Sequence, residues 1–321
     1  MRSLSFPVIL GLAALALLFL GGGAGRAALL DSRFVRDSVV VGQAFPKQLV
    51  DPAGTALELP RPPQRIISTF MAGDEMLAAL VDFSRIAGVS PLVDDESSGC
   101  AGQIPPSVPR VRVECESLLA LEPDLLLVAS YTRAETVRQL VAAGVPVVHM
   151  GQFSTMEDVT KNLRLVAAAV GSERAADQVS AEVDQRVAKT AAKVGGLPKP
   201  RVLYCTAAGF TFGSDAIIDT MIDLAGGFNV VREMGISGPT RVSPEAAAGL
   251  QPDVVLLSAK ETGDRSAVEE FLRYGAWGAL FRGSSTRIVS VKSAWLLSMS
   301  HHGARGVEAV ARLLHPEAFA K

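Results

Sequence analysis

The sequence has few of the residues from which catalytic and metal sites are usually built. Its 321 residues include three cysteines and four histidines. No Cys-x-x-Cys pair is present, and the histidines have no metal-ligand spacing beyond the adjacent pair His301 and His302. The motifs GxSxG and HExxH, the phosphate-binding P-loop and a helix-opening GxGxxG are also absent. These absences favour a binding protein over an enzyme, although a secreted enzyme on the same scaffold stays open as the alternative.

An excess of charge of one sign is absent as well. Lysine and arginine number 31 against 33 aspartates and glutamates, which gives a formal net charge of −2. A basic surface that binds nucleic acid is therefore not expected. Nothing after Leu30 is long and apolar enough to predict a membrane span.

The N-terminal segment has the pattern of an export signal. Arg2 precedes an apolar run of 15 residues, 6–20, and small residues then offer cleavage after Ala27 or Ala28. A basic start, an apolar stretch and small residues form a secretory signal peptide, here residues 1–28, so we expect a periplasmic protein. The alternative is an uncleaved anchor, which the length disfavours, since the run falls short of the roughly 20 residues that a spanning helix needs. No cysteine directly follows the apolar run, so lipid modification is not expected.

Residues 29–153 predict an α/β lobe. A turn rich in proline and glycine joins two short extended runs, 45–50 and 56–59, into a predicted hairpin. Continuous apolar strands then alternate with helices, which indicates a parallel sheet covered on both faces. The predicted strands are 65–69, 86–90, 125–130 and 145–150, and the predicted helices are 74–83 and 133–143.

Residues 154–196 predict two linking helices. Ser154 and Glu157 form a capping-box pattern for a helix that ends before Gly171. A second helix, 172–194, has apolar residues every four positions on a polar cylinder, and at 1.5 Å per residue it would be about 33 Å long. We interpret this helix as a rigid strut between two lobes.

Residues 197–321 predict a second α/β lobe, which repeats the first. The segment ESLLALEPDLLLV at 116–128 matches EAAAGLQPDVVLL at 245–257, and similar strands open at Arg65 and Arg201. Repetition at this scale indicates two similar Rossmann-like lobes, each with a central parallel sheet. The predicted strands here are 201–205, 254–258 and 287–291, and the predicted helices are 215–225, 266–280 and 303–314.

The three cysteines fit an oxidising compartment. Cys100 and Cys115 are spaced for one loop-closing disulfide, which stays an open prediction. Cys205 lies in an apolar strand and is expected to be a buried, inert thiol. Of the lone histidines, His149 is expected to be a hydrogen-bonded structural residue and His315 to lie at the surface.

Glu116 and Glu245 are the paired glutamates of the two repeated segments. Each begins a short helix, where a carboxylate stabilises the positive end of the helix dipole. Ser243 and Pro244 before Glu245 fit the same capping arrangement. One acid on each lobe would equally provide two contact points for a basic partner. The local sequence favours capping and leaves both roles open.

The hairpin segment LVDPAGTALELPRPPQRIIS at 49–68, the two glutamate segments and the strut helix together resemble the periplasmic binding proteins for vitamin B12, ferric siderophores and haem. The similarity covers about residues 45–318 in order. The resemblance implies two lobes joined by one rigid helix, with the ligand held between them. It also implies that Glu116 and Glu245 dock onto arginines of the membrane permease of an ABC importer. Each glutamate can cap its helix and dock onto the permease at the same time.

In open α/β sheets, ligands bind beside the loops that follow strand ends. Those loops offer aromatic faces and polar tips, as a large flat chelate would require. The candidate ligand-binding residues are Thr69, Phe70, Met71, Tyr131, Phe210, Phe212, Trp295, His301 and His302.

The composition of these loops bears on the cargo. No cluster of lysine or arginine is evident in them, which favours a neutral corrinoid over a strongly anionic ferric siderophore. His301 and His302 keep haem as an alternative cargo, since imidazole is an axial ligand of haem iron. Ordinary packing or solvent exposure could explain each aromatic and each histidine equally well. We expect no catalytic residue, no resident cofactor or metal, and a monomer.

Overall fold

A computed structural model gives the fold, and it describes residues 38–42 and 44–320. The predicted signal peptide, residues 1–28, lies outside the described residues. Within the described ranges, no helix combines the length and the apolar character needed to cross a membrane. The strands are β1 (Val39–Val41), β2 (Lys47–Val50), β3 (Ala56–Leu59), β4 (Ile66–Ser68), β5 (Ile86–Gly88), β6 (Leu125–Val128), β7 (Val147–His149), β8 (Arg201–Tyr204), β9 (Phe210–Phe212), β10 (Phe228–Asn229), β11 (Pro239–Arg241), β12 (Val254–Ala259) and β13 (Arg287–Lys292). The helices are α1 (Met71–Leu80), α2 (Cys115–Leu119), α3 (Ala134–Ala142), α4 (Met156–Val170), α5 (Glu173–Val194), α6 (Ile217–Leu224), α7 (Pro244–Gly249), α8 (Arg265–Arg273), α9 (Gly275–Phe281), α10 (Ser293–Leu296) and α11 (Gly303–Leu314).

The first lobe contains a four-stranded parallel sheet with the strand order β5-β4-β6-β7. All four residues of β6 are buried, and they alternate between two apolar clusters. Leu125 and Leu127 belong to one cluster, whereas Leu126 and Val128 belong to another. Successive side chains of a strand point to opposite faces, so the sheet is covered on both sides. This is why its strands are uninterrupted apolar runs in the sequence.

The second lobe repeats this arrangement with a parallel sheet in the order β10-β8-β12-β13. Strands β8 and β12 take the places of β4 and β6, and residues of β12 again alternate between two apolar clusters. The prediction of two similar lobes with central parallel sheets is thus confirmed. Three antiparallel strands, β1-β2-β3, precede the parallel sheet of the first lobe and include the predicted hairpin. The pair β9 and β11 belongs to the second lobe.

The repeated sequence motif forms the same polar clamp in each lobe. The carboxylate of Asp124 accepts a hydrogen bond from the Arg65 amide at 2.8 Å, and the carboxylate of Asp253 accepts one from the Arg201 amide at 2.8 Å. The two arginine side chains donate back to the carbonyls at the end of the preceding short helix, such as Leu121 in the first lobe. The motif therefore joins β4 to helix α2, which precedes β6, and in the same way joins β8 to helix α7, which precedes β12.

The linking helix α5 joins the lobes, and the apolar core continues through it. With 22 residues, α5 is about 33 Å long. Val183 on its inner face shares one buried cluster with Leu125 of the first sheet and Leu256 of the second. The two sheets are therefore built around one connected core.

Several predicted details differ from the structure. The capping box of α4 is made by Thr155 and Asp158, one residue later than the predicted Ser154 and Glu157. The predicted helix 266–280 is two helices, α8 and α9, because Gly275 has a φ of +47° that interrupts the hydrogen-bond ladder. The first helix begins at Met71, three residues earlier than predicted.

The predicted Cys100–Cys115 disulfide is wrong, because both are free thiols in the structure. Cys100 is buried in the core cluster on one face of the first sheet, with its Sγ 3.4 Å from the Ser98 hydroxyl. Cys115 packs on the cluster of the opposite face and its thiol donates to Gln139. Sequence spacing does not reveal the face of the sheet on which a residue packs, which is why the pairing failed.

The prediction is right for one of the two lone histidines and wrong for the other. His149 is the expected structural residue, since its amide and its Nδ1 both lie 2.9 Å from a carboxylate oxygen of the buried Asp51. His315 is not at the surface. It is buried, and its Nε2 lies 3.1 Å from the Gly226 carbonyl oxygen.

Candidate functional site

The carboxyl ends of the two sheets face one another across the lobe boundary. Ser154, which follows β7, donates to the Asp215 carbonyl after β9, at 3.0 Å. Lys260 directly follows β12 and pairs with Glu96 of the first lobe at 2.9 Å. Contacts between the lobes thus involve segments that follow strand ends. This is the location at which open α/β sheets bind ligands.

The predicted aromatic residues differ in their availability to a ligand. Tyr131, three residues beyond the end of β6, is 73% exposed, and Phe210 is 37% exposed. Phe210 and Phe212 point to one face of β9 and their rings make an edge-on contact at 5.7 Å. Phe70 is instead buried in the core, with its ring 6.3 Å from that of Phe153. The predicted role of Phe70 in ligand contact is therefore not supported by its position.

Three other predicted site residues have half-buried side chains: Thr69, Met71 and Trp295. The Thr69 hydroxyl donates to the Leu127 carbonyl, which joins the end of β4 to β6. Trp295 lines a surface cavity of about 360 Å³ beside Arg186 of the strut helix and Arg305. This cavity lies beside the strut helix, and its lining does not include Phe210 or Phe212 of β9.

His301 and His302 lie at the start of α11, with ring centroids 4.1 Å apart. Burial, with a smaller contribution from Arg305, lowers the pKa of His301 to about 4. Burial also lowers the pKa of His302 to about 3, with smaller contributions from His301 and Arg305. Both imidazoles are therefore neutral at neutral pH, and among the residues that the structure describes, the buried Nδ1 of His301 has no hydrogen-bond partner. A neutral imidazole with a free lone pair is the form that ligates a metal.

Two consecutive acids, Asp74 and Glu75 of α1, were not among the predicted site residues. Asp74 is fully buried, and burial raises its pKa to about 7, although hydrogen bonds from Ser90 and Ser68 oppose that shift. Burial likewise raises the pKa of Glu75. A sequence signal was available, because acids in a helix that directly follows a buried strand lie at the ligand-binding edge.

Glu75 is hydrogen-bonded to both lobes. One carboxylate oxygen accepts from the Gly99 amide at 2.5 Å, and the other accepts from the Ser298 hydroxyl of the second lobe at 3.0 Å. The Ser298 hydroxyl also lies 3.0 Å from that of Ser300. This buried polar network lies beneath the segment that presents the two histidines.

Glu116 and Glu245 are exposed acids at equivalent places in the two lobes. Each lies in the first turn of a short helix, α2 or α7, that leads back to the beginning of the next strand. The first turns therefore lie toward the carboxyl edges of the sheets. Ser243 caps α7 through the Ala246 amide, so capping at this helix does not depend on the glutamate.

Other surface cavities lie along the linking helices. A cavity of about 930 Å³ opens between β1 and helices α4 and α5, and one of about 400 Å³ lies between α5 and α11. These two cavities are lined mainly by residues of the linking helices, and neither lining includes Phe210 or Phe212. We therefore locate the candidate site by the strand ends and by the residues that follow them.

The periplasmic binding protein family matches this sequence over residues 66–280, which is two-thirds of the chain. The chain belongs to the periplasmic binding protein family. This membership confirms the predicted binding protein over the enzyme. A solved structure of the periplasmic heme-binding protein of Vibrio cholerae is similar over 79% of this chain and 99% of its own, with 25% identity and a TM-score of 0.65.

Two curated relatives of this periplasmic binding protein also match. A cobalamin-binding protein of Halobacterium salinarum is 28% identical over 222 residues, which cover 66% of this chain and 58% of the relative. The chain thus spans somewhat more than half of that relative. An ABC transporter substrate-binding lipoprotein of Bacillus subtilis is 22% identical over 95% of this chain and 96% of its own length.

Proposed function

We propose that this periplasmic binding protein captures a metal-chelate nutrient outside the cytoplasm and delivers it to the membrane permease of an ABC importer. A corrinoid is the favoured cargo and a ferric siderophore the next. The facing carboxyl edges of two like sheets are the observation that carries the proposal. The names of the relatives support it, since one is a cobalamin-binding protein and another an ABC transporter substrate-binding lipoprotein.

The charges beside the cleft favour a neutral chelate. Lys260, which follows the central strand β12, pairs with Glu96, and Lys292, which ends the edge strand β13, pairs with Glu261. A carboxylate- or catecholate-rich siderophore would require unpaired, bidentate cations. The exposed rings of Tyr131 and Phe210 would instead cover the flat face of a corrinoid.

A thermal-shift panel on the mature protein tests the proposal. The panel contains cobalamin, cobinamide, haemin, several ferric siderophores and simple metal salts. A cargo present at a hundred times its dissociation constant stabilises the fold by about 2.7 kcal/mol. We expect the corrinoids to give the largest shift, and the absence of a shift with every chelate would contradict the proposal.

A matched pair of variants tests the location of the site. Tyr131→Ala removes an exposed ring at the end of β6, and Tyr274→Ala removes an exposed ring between α8 and α9. We expect the first change to weaken cargo binding and the second to leave it unchanged. Equal affinities for both variants would place the cargo elsewhere.

Haem is the alternative cargo, and the neutral His301 and His302 pair favours it. A histidine ligand would give bound haemin a characteristic visible spectrum, and His301→Ala would change that spectrum. A haemin shift larger than every corrinoid shift in the same panel would replace the corrinoid with haem as the proposed cargo.

A further inference from the structure

The segment between β5 and α2 forms a long closed loop, residues 90–110. A bridge between Val89 and Arg110 brings its ends together. The Arg110 guanidinium fills the loop and donates to the Asp94 carboxylate at 2.6 and 2.8 Å. It also donates to the backbone carbonyls of the loop at Ile104, Pro105 and Val108. These internal bonds fix the shape of the loop.

This closed loop touches the second lobe at two places. At the surface, Glu96 pairs with Lys260, and both side chains are mostly exposed. Deeper in the boundary, the His302 ring lies directly on Gly99, where an added Cβ would come 2.0 Å from the ring Cδ2. Gly99 is therefore required to be glycine for the ring to occupy this position.

Glu75 connects these contacts in the interior. Its carboxylate holds the Gly99 amide on one side and the Ser298 hydroxyl on the other. The Ser298 oxygen accepts from the Ser300 amide at 3.1 Å, and the Ser300 oxygen accepts from the His302 amide at 3.3 Å. These hydrogen bonds run from the first lobe into the histidine segment of the second. The packing of the His302 imidazole on Gly99 returns to the first lobe and completes a closed circuit of contacts.

The members of this circuit are withdrawn from water. Glu75 and Ser298 are each 1% exposed and Ser300 is 0% exposed. Buried donors that lose their acceptor are strongly destabilising, because no water replaces the lost bond. Removal of the Glu75 carboxylate would therefore disturb both lobes.

We propose that Glu75 is a positioning residue: through Gly99 and Ser298 it latches the closed loop 90–110 of the first lobe to segment 298–302 of the second. The latch sets the opening of the cleft and the placement of His301 and His302 before any cargo arrives. This inference rests on the proposed function for its effect on binding, whereas the latch itself is a property of the cargo-free protein.

Affinity depends on the latch through preorganisation. If the latch is open, only a fraction of molecules has the histidine segment and both cleft walls in place, and the apparent affinity falls by that fraction. A competent fraction of about one-tenth corresponds to about a tenfold loss of affinity. Glu75→Ala is expected to show a loss of this order, and Glu75→Gln to retain most of the affinity because its amide oxygen still accepts one of the two bonds.

Amide hydrogen exchange in the cargo-free protein tests the latch directly. We expect Glu75→Ala to speed exchange at Gly99 in the first lobe and also at Ser300 and His302 in the second, and Glu75→Gln to reverse most of the change. Faster exchange at Gly99 alone would overturn the latch, since it would show a role confined to one lobe. Because this measurement needs no cargo, a protein that binds no chelate in the panel but shows the exchange across both lobes would refute the proposed function and retain the latch.

A second variant approaches the latch from the loop, in case Glu75→Ala fails to fold. Gly99→Ala places a methyl group where the His302 ring lies, so we expect an altered imidazole NMR signal and faster exchange at Ser300. Gly249→Ala is the matched control, because an added Cβ there has open space. An unchanged His302 signal in Gly99→Ala would overturn the proposed contact.

Discussion

Asp74 shows how far position alters the chemistry of a single side chain. In the sequence it is an acid in the first turn of a helix, where a charge is normally stabilised. In the structure the same carboxyl is fully buried, and the groups that hold it are the hydroxyls of Ser90 and Ser68 and the Ser90 amide. Burial without a cation favours the neutral acid.

Replacement of Asp74 by asparagine should change the pH dependence of stability. The folded pKa of about 7 is above the ordinary value of 3.8. The stabilisation from the neutral acid is therefore full below pH about 4 and is lost as the pH rises through about 7. Relative to Asp74→Asn, the wild-type free energy of unfolding should fall over this range, with a slope approaching about 1.4 kcal/mol per pH unit.

Urea unfolding at several values between about pH 4 and pH 8 measures the difference between the two proteins. The comparison is needed because His301 and His302, with lowered pKa values, destabilise the wild type in acid and act in the opposite direction. These histidines are common to both proteins. Parallel stability curves would show that Asp74 does not titrate in this range.

The cysteines give a second prediction at this scale. Burial raises the pKa of the Cys100 thiol to about 11 and that of the Cys205 thiol to about 12. A thiol reagent should therefore modify the half-buried Cys115 in the folded protein and reach the other two after unfolding. Mass spectrometry after labelling counts the modified thiols. A mass two units below that of the fully reduced protein, with no labelling at Cys100 and Cys115, would show that the disulfide forms.

Residue-level prediction succeeded where the pattern is local and failed where it depends on packing. Cys205 is buried as expected, because a thiol in a continuous apolar strand has only one environment available. Phe70 and Tyr131 both follow a strand of the same sheet, yet one is in the core and the other is exposed. The position of Asp74 and Glu75 after a buried strand could have indicated their place at the ligand-binding edge, but nothing local to them indicates that they are buried.

At the scale of elements, the repeated clamp explains why the sequence repeats. Leu-x-Pro-Asp appears in both lobes because each sheet needs an acceptor for the amide that opens its first strand. The residues Glu122 and Gln251 in the middle of the motif both have positive φ values, 47° and 48°. The repeat therefore preserves an unusual backbone turn as well as a side-chain contact.

The clamps should contribute comparably to stability in the two lobes. Asp124→Ala and Asp253→Ala each remove the acceptor of a strand-opening amide, and each should lower the free energy of unfolding by about 1–3 kcal/mol. Asp184→Ala, on an exposed face of the strut helix, is the control and should stay within about 0.5 kcal/mol of the wild type. Denaturant unfolding checks all three, and a neutral effect of either clamp variant would show that water replaces its carboxylate.

Elements with strong periodicity were predicted best. The parallel strands other than the two-residue β10, and the strut helix, fall where apolar runs and a four-residue stripe placed them. The short pair β9 and β11 was missed, since three-residue strands leave no period to detect. The break at Gly275 was also missed, because a glycine inside a helical pattern does not reveal its φ angle.

The paired glutamates give a prediction for the whole molecule. Both are exposed at equivalent positions, as docking onto a basic permease requires. The double change Glu116→Arg with Glu245→Arg should abolish cargo uptake in cells and leave cargo affinity unchanged, because neither glutamate is a candidate ligand-binding residue. The double change Glu135→Arg with Glu270→Arg reverses exposed acids elsewhere and is the matched control. Uptake that survives the first double change would refute the docking role.

The strut and the latch predict little relative motion of the lobes. A continuous helix and a connected core resist wide hinge closure, so the radius of gyration from X-ray scattering should change by no more than about 1 Å on cargo binding. Domain hinges that close around ligands usually depend on a few loop residues. A clear compaction on binding would contradict this expectation.

The connected core also affects how the protein denatures. Two lobes with separate interiors would melt as two calorimetric transitions, each with its own enthalpy. Here Leu125, Val183 and Leu256 share a single buried cluster, so we expect loss of packing in one lobe to weaken the packing of the other. We therefore expect one calorimetric transition for the two lobes together, and a destabilising substitution in either lobe should lower its midpoint.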